Sequence, residues 1–387
     1  MSVQFADRIS RLGTETAFEV LAKARALEAE GKHIIHLQIG EPDFTTPKNI
    51  CDAAIKAIQD GHTHYTPAPG LMDVRQAISD YVSRTRDMEF NPENVVMTPG
   101  AKPIMFYLIL ALIQEGDEVM YPNPGFPIYE SMINFVGGTA VPVKLSMENE
   151  FKIDIKEFEK LVTNRTKLVI INTPGNPTGK TIPKADIEAI AEILKNRDTY
   201  ILSDEIYSRI TYDVPEVFSI AKIPGFKERT IILDGFSKTY AMTGWRAGYG
   251  VMNEELSPII AKLMVNSNSC TNAFVQKACI EALNGPQDEV DKIVAEFRRR
   301  RDVIVEGLNS IKGFKCLVPD GAFYAFPNIE GTGYNSKELA DKLLYEAGVA
   351  SLSGTSFGKF GEGLLRFSYA NSVENIKEAI KRIKSVL

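Results

Sequence analysis

The stretch DGFSKTYAMTGWR, residues 234–246, overlaps the end of a β-branched apolar run, TIILDG (230–235), and sets one lysine, Lys238, among small and apolar neighbours, with Arg246 eight positions on. A lysine that serves solubility sits on a charged helix face. This one stands just beyond a run that reads as a buried strand. A lysine amine attacks a carbonyl carbon only when part of its population is neutral, and burial or a neighbouring cation lowers its pKa in that direction. A stem packed on apolar surface would give the same local pattern, so the reading of Lys238 rests on its surroundings.

Outward from TIILDG, six further runs have a similar character: HIIHL (33–37), VVMT (95–98), EVMYP (118–122), KLVIIN (167–172), YILSD (200–204) and AGYGVM (247–252). Helical spacing lies between several of them. One helix is predicted over 47–60, started by Thr46 and Pro47 and stopped by Gly61. Another opens the chain, with Phe18, Leu21, Ala24 and Leu27 in helical register, Thr16 and Glu19 as a capping box, and Gly31 at its end. Strand and helix in alternation predict an α/β fold with a mostly parallel central sheet covered by helices on both faces. After about residue 285 the pattern changes to a long charged helix (286–312), two strand-like runs (FKCLV, GAFYAF), a helix from Ser336, and a final strand and helix. The first 45 residues are too few for a core of their own. The expected division is a large domain, 46–285, and a smaller α+β domain made of 1–45 together with 286–387.

Of the 387 residues, 44% are apolar and 24% charged, as in ordinary globular chains, and the net charge is −6. An acidic balance argues against a general nucleic-acid or anionic-membrane binder, since both attract basic surfaces. The run FRRRRD (297–302) circles a helix and reads as solvated or ion-paired faces. The four cysteines show neither CxxC pairing nor dense spacing, so free thiols are expected, with no disulfide framework and no metal site. His62 and His64 lack a third ligand. With no apolar signal segment and no long apolar run, the expected location is the cytoplasm.

Three loops share the strand-end setting of Lys238. Asp204 closes YILSD, and in open parallel sheets ligands bind at that end of the strands; a helix cap or turn former is the plainer alternative. Asn176 projects from INTPGNPTGK (171–180), where two prolines and two glycines fix an irregular turn. In TPGAKPIMF (98–106) the amides of Gly100 and Ala101 open a helix and suit a phosphate. Each signal is weak alone.

Together they resemble the class I, aspartate-type aminotransferases of pyridoxal phosphate fold type I. SKTYAMTGWRAGY, NTPGNPTG, SDEIY, RFSYA and GEPDF (40–44) carry the likeness, which covers essentially the whole chain. The resemblance implies pyridoxal 5'-phosphate as cofactor, an internal aldimine on Lys238, and the same amine as the proton shuttle. It implies Asp204 at the pyridine nitrogen, Asn176 and Tyr207 at the phenolate oxygen, and Phe126 against the ring. The phosphate falls to Ser237, Arg246 and the segment Gly100, Ala101, Lys102. Arg366 and Gly40 would take the substrate α-carboxylate, with Asn176 beside them. Tyr65 would reach the phosphate of a neighbouring subunit, which makes the dimer obligatory. Trp245 reads as core.

Two departures stand out: SLSGTSFG (351–358) lacks a proline before its glycine, and Gly235 replaces a serine used by some relatives for the phosphate. The expected reaction is a ping-pong transfer of the amino group from an aspartate-, alanine- or aromatic-type L-amino acid to a 2-keto acid such as 2-oxoglutarate. A C–S (β) lyase or decarboxylase with the same cofactor set is the rival within the fold. A nicotinamide oxidoreductase lacks its GxGxxG after an early strand, and a regulator that merely binds the cofactor lacks a basic partner surface.

Overall fold

A computed structural model describes residues 3–214 and 217–387, and seven of its strands join in one sheet. They are β1 (Val95–Thr98), β2 (Glu118–Asn123), β3 (Thr139–Lys144), β4 (Thr166–Asn172), β5 (Tyr200–Asp204), β6 (Thr230–Gly235) and β7 (Gly248–Val251). Across the sheet the order is β1-β7-β6-β5-β4-β2-β3. Neighbours are parallel except at β7, which runs antiparallel to both β1 and β6.

The central strands are buried residue after residue, which is why they read as continuous apolar runs and not as alternation. Leu168 and Ile170 of β4, Leu202 of β5 and Leu233 of β6 pack with Ile104, Leu108, Tyr129 and Ile260 of helices on one face. Val169, Ile171 and Ile201 face the helix Lys184–Leu194 on the other. The edge strand β3 escaped the sequence reading. Its sequence TAVPVK is half-exposed and carries Pro142, tolerated at an edge because a missing N–H there breaks no ladder.

The C-terminal part builds a second core. The helices Asp288–Asn309 and Val373–Val386 pack with an antiparallel sheet of Leu352–Ser353, Leu365–Ser368 and Tyr324–Ala325. Ile35–His36 of the N-terminal arm pairs in parallel with Val349–Ala350, and Ile35 and Leu37 enter the same core. FKCLV does not form a strand; only Lys315 makes an isolated bridge, to Asn328. The opening helix is Thr16–Ala29, so Thr16 is its first turn and Glu15 its cap, with no side-chain cap bond, and the predicted capping box is not formed. Phe18 is exposed, outside the buried face of Ala24 and Leu27. Residues 7–11 cross back onto the helix Ile128–Val136. Among the described residues no helix is long and apolar enough to cross a membrane.

Candidate active site

Asn172, Asp204 and Leu233 are register partners, so the C-terminal ends of β4, β5 and β6 lie side by side. Their loops carry Asn176, Tyr207 and Lys238, and the loop after β1 carries Gly100. Lys238 follows β6 by three residues, and Nζ donates to the carbonyl of Gly40 at 2.5 Å, 5.8 Å from the Phe323 ring centroid. Its pKa is pushed down to about 8, first by burial and then by the charge of Arg366, with Arg246 adding less and Glu41 and Glu15 opposing. Gly235 has a steric reason: a Cβ there would lie 2.9 Å from Gly248 Cα, so this crossing of β6 and β7 accepts no side chain.

The Asp204 carboxylate is buried, accepts the Tyr129 hydroxyl at Oδ2 and the Ile206 N–H at Oδ1 (3.3 Å), and pairs with no lysine or arginine among the described residues. Burial lifts its pKa to about 6 against the pull of those two donors. Arg366 is the converse: a buried guanidinium with no carboxylate partner among the described residues. Nη1 donates to Asn176 Oδ1 (3.0 Å), Nη2 donates to the Gln38 carbonyl (2.5 Å), and Nε has no partner. The Tyr324 and Phe357 rings lie 4.5 and 4.9 Å from its central carbon. Burial lowers its pKa. An uncompensated buried cation is costly, and a ligand carboxylate offsets that cost.

Asn176 turns its carbonyl oxygen to Arg366, which leaves its amide N–H groups to donate elsewhere. The hydroxyl of Tyr207 lies 2.8 Å from that of Tyr324, and burial holds the Tyr207 phenol far above its usual pKa, so it stays a proton donor. Gly40 offers Lys238 its carbonyl, and a Cβ there would fall 2.2 Å from the Tyr324 hydroxyl, so a side chain at this position would push that ring aside.

Gly100 (φ +84°) and Arg246 (φ +56°) meet at the start of the helix Lys102–Leu112. A Cβ on Gly100 would lie 2.3 Å from Arg246 Nη2, and one on Gly248 2.2 Å from Ala101 N, so backbone and guanidinium converge with the buried Ser237 nearby in sequence. The Lys102 side chain leaves this cradle: its ammonium pairs with Glu15 and lies 5.4 Å from the Phe126 ring centroid. Phe126 packs edge-on against Tyr129 (5.6 Å). Tyr65 stands apart from all of these, 90% exposed.

Tyr129, Tyr324, Gln38 and Glu15 were not singled out from sequence. Tyr129 carried a local signal, since it falls three residues after Phe126 and so on the same face of one helical turn. The others reach the site only through the fold.

The solved aspartate aminotransferase of Thermus thermophilus with maleate matches this structure with a TM-score of 0.95 at 34% identity, covering 100% of both chains. That likeness defines a fold type I enzyme of the pyridoxal-phosphate class. A family model, Aminotransferase class I and II, matches residues 32–383, and the chain belongs to that family. Similar curated relatives include an aspartate aminotransferase of Bacillus sp. (strain YM-2), 39% identical over 99% of each chain. An aromatic-amino-acid aminotransferase 2 of Thermococcus litoralis is 36% identical over 98% of this chain and 97% of its own.

Proposed function

We propose that this chain is a homodimeric aminotransferase that moves the amino group of an aspartate-, alanine- or aromatic-type L-amino acid to a 2-keto acid such as 2-oxoglutarate, in ping-pong order, with Lys238 as its central amine. The observation that carries the reading is Lys238, whose amine donates to the Gly40 carbonyl and is pushed down to about pKa 8, together with the buried Arg366, which has no carboxylate partner among the described residues. In this reading residues 46–285 form the cofactor-holding domain and 1–45 with 286–387 the smaller one. Four free cysteines fit a reducing cytoplasm.

The residues fit pyridoxal phosphate: a buried carboxylate with no ion-pair partner among the described residues suits a pyridinium, and the Gly100–Arg246 cradle suits a phosphate. When bound, that group supplies an aldehyde and a protonated ring that draws electrons from the substrate α-carbon. Lys238 would hold the aldehyde and Asp204 the ring nitrogen. Asn176 and Tyr207 would serve the phenolate oxygen, and Phe126 the ring face. Ser237, Arg246 and the amides of Gly100, Ala101 and Lys102 would hold the phosphate. The exposure of Tyr65 fits a role at the phosphate of a second copy.

Arg366 binds the substrate carboxylate, with Gln38 and Asn176 fixing the guanidinium, while Gly40 keeps the backbone close. A carboxylate fixed in that place orients the Cα–H bond, which favours proton loss over loss of the carboxylate. Lys238 Nζ, freed from the Gly40 carbonyl, takes the proton from the substrate Cα and holds it for return. Borohydride reduction of the loaded protein should add the cofactor's mass to the peptide containing Lys238, and keto-acid formation should require a second keto acid. Pyruvate and ammonia released from cysteine-type substrates without an acceptor would mark a C–S lyase instead.

A further inference from the structure

The turn that leads from Lys238 to Arg246 leaves ordinary backbone twice: Ala241 (φ +51°) and Arg246 (φ +56°) both lie in the left-handed region, and neither is glycine. Residues persist there only where their surroundings fix them. Within the turn the Met242 N–H donates to the Ser237 carbonyl and the Trp245 N–H to the Met242 carbonyl, each at 3.2 Å, the long end of the normal range. The Arg246 guanidinium is held by the same turn, because Nη1 donates to the Thr243 carbonyl at 2.8 Å, whereas Nη2 reaches the Pro99 carbonyl only at 3.5 Å. Where the turn goes, the guanidinium follows.

Support from outside comes from Thr46, 195 positions before Ala241. Thr46 precedes the helix Lys48–Gln59, but Pro47 is the cap of that helix and no side-chain cap bond is made. The Thr46 hydroxyl is used elsewhere: Oγ1 donates to the Ala241 carbonyl (2.7 Å) and accepts the Trp245 indole N–H (2.9 Å). One oxygen therefore ties the first left-handed residue to the neighbour of the second. The Trp245 ring packs against the core to which Val74 and Ile78 of the helix Met72–Arg86 and Val275 and Ala278 of the helix Ala273–Asn284 contribute, so its N–H is aimed from a fixed support.

We propose that Thr46 is a positioning residue for the cofactor's phosphate: by tying Ala241 to Trp245 it holds Arg246 at the Gly100 cradle. The proposal rests on the aminotransferase reading above. The role needs one group that donates and accepts at once, which a hydroxyl does. Valine has the same shape and does neither, so it leaves the Ala241 carbonyl and the Trp245 N–H without their partner. The effect falls on the phosphate end of the cofactor. Lys238 comes before the clamped residues and is directed by the end of β6, whereas Arg246 follows Trp245 directly and takes its aim from the turn.

The test titrates cofactor-free protein with pyridoxal 5'-phosphate and with pyridoxal, which lacks the phosphate, reading Kd from visible absorbance. Thr46→Val should weaken the phosphate ester about tenfold and leave pyridoxal within about twofold. Thr46→Ser, which keeps the hydroxyl, should bind both as the native protein does. Trp245→Phe loses only the indole N–H and should reproduce part of the Thr46→Val loss, with little added when the two are combined. Trp245 is the only tryptophan of the chain, so the emission of cofactor-free protein reports the same bond. Its maximum should move in Thr46→Val and return in Thr46→Ser. A Thr46→Val protein that binds both ligands normally, loses both by the same factor or keeps the native emission overturns the proposal, as does a Thr46→Ser protein that behaves like Thr46→Val. Native protein that takes up no cofactor colour would sink the aminotransferase reading; coloured native protein whose preference for the phosphate ester survives Thr46→Val sinks only this one.

Discussion

Asp204 and Glu205 are consecutive buried carboxylates turned to opposite sides of the sheet. Glu205 accepts from Arg86 Nε (2.7 Å), Ser203 Oγ (2.8 Å) and Ser219 Oγ (2.7 Å). Asp234 shares the same arginine at 3.3 Å and takes the Gly235 N–H at 2.7 Å. That network closes on itself and ties the helix Met72–Arg86 to the ends of β5 and β6. Asp204 faces Tyr129 and has hydrogen bonds but no lysine or arginine paired with it among the described residues. A network whose charges are matched inside the protein holds the strands in place. A buried carboxylate left without its countercharge is kept where a ligand brings one.

Substitution at the two positions should separate activity from stability. Asp204→Asn should lower kcat/KM by about 1,000-fold, roughly 4 kcal/mol of barrier, while the melting temperature of the cofactor-free protein holds or rises, because a desolvated charge has been removed. Glu205→Gln should cost about 3–5 kcal/mol of folding stability and leave kcat of the folded fraction within a few-fold. Urea melts and steady-state kinetics on both variants check this. The reverse pattern would break the comparison.

Tyr129→Phe removes the hydroxyl that supports the Asp204 carboxylate, and a hydrogen bond to a charged group contributes about 1.5–3 kcal/mol. The expected loss is about tenfold in kcat, together with a further rise in the Asp204 pKa, visible as a shift in the acid limb of the pH–rate profile. An unchanged profile would show that burial alone sets that carboxylate.

The pH dependence of stability has a definite sign. Asp204 and Asp234 have folded pKa values of about 6 and about 7, both raised above the ordinary 3.8 chiefly by burial. A raised value means the folded state binds the proton more tightly than the unfolded chain. Their contribution is therefore complete below about pH 4 and is lost as pH rises through 6 and 7, with a slope of at most ~1.4 kcal/mol per pH unit for each group. Unfolding midpoints of cofactor-free protein between pH 5 and 8 should fall more steeply than those of Asp204→Asn. Loading the cofactor should flatten the Asp204 part and leave the Asp234 part.

The two carboxylates also show what the sequence could convey. Asp204 was legible because it closes an apolar run beside the run that delivers Lys238, and strand ends in parallel sheets are where ligands sit. The alternation of TIILDG, YILSD and KLVIIN with helices carried the sheet for the same reason. Glu205 and Arg86 were not legible as a pair, since 119 positions separate them and only the fold brings them to 2.7 Å. β3 was missed because an edge strand needs no apolar run. Lys102 illustrates the limit most sharply: its place after Gly100 suggested the phosphate, and nothing local to it announces Glu15.

The smallest effect is expected at Tyr324, which joins the two halves of the site. Its hydroxyl meets Tyr207 from the large sheet, and its ring lies under Arg366 from the C-terminal sheet. Tyr324→Phe removes only the hydroxyl. Tyr207 then loses one neutral partner, worth about 1 kcal/mol, and kcat should fall a few-fold with KM for the amino acid nearly unmoved. Tyr324→Ala removes the ring as well, exposes one face of the guanidinium, and should raise KM. A positioning role through Tyr207 requires that split between kcat and KM. If Tyr324→Phe raises KM as much as Tyr324→Ala does, the hydroxyl acts on the carboxylate end of the site, and the link to Tyr207 carries no catalytic weight.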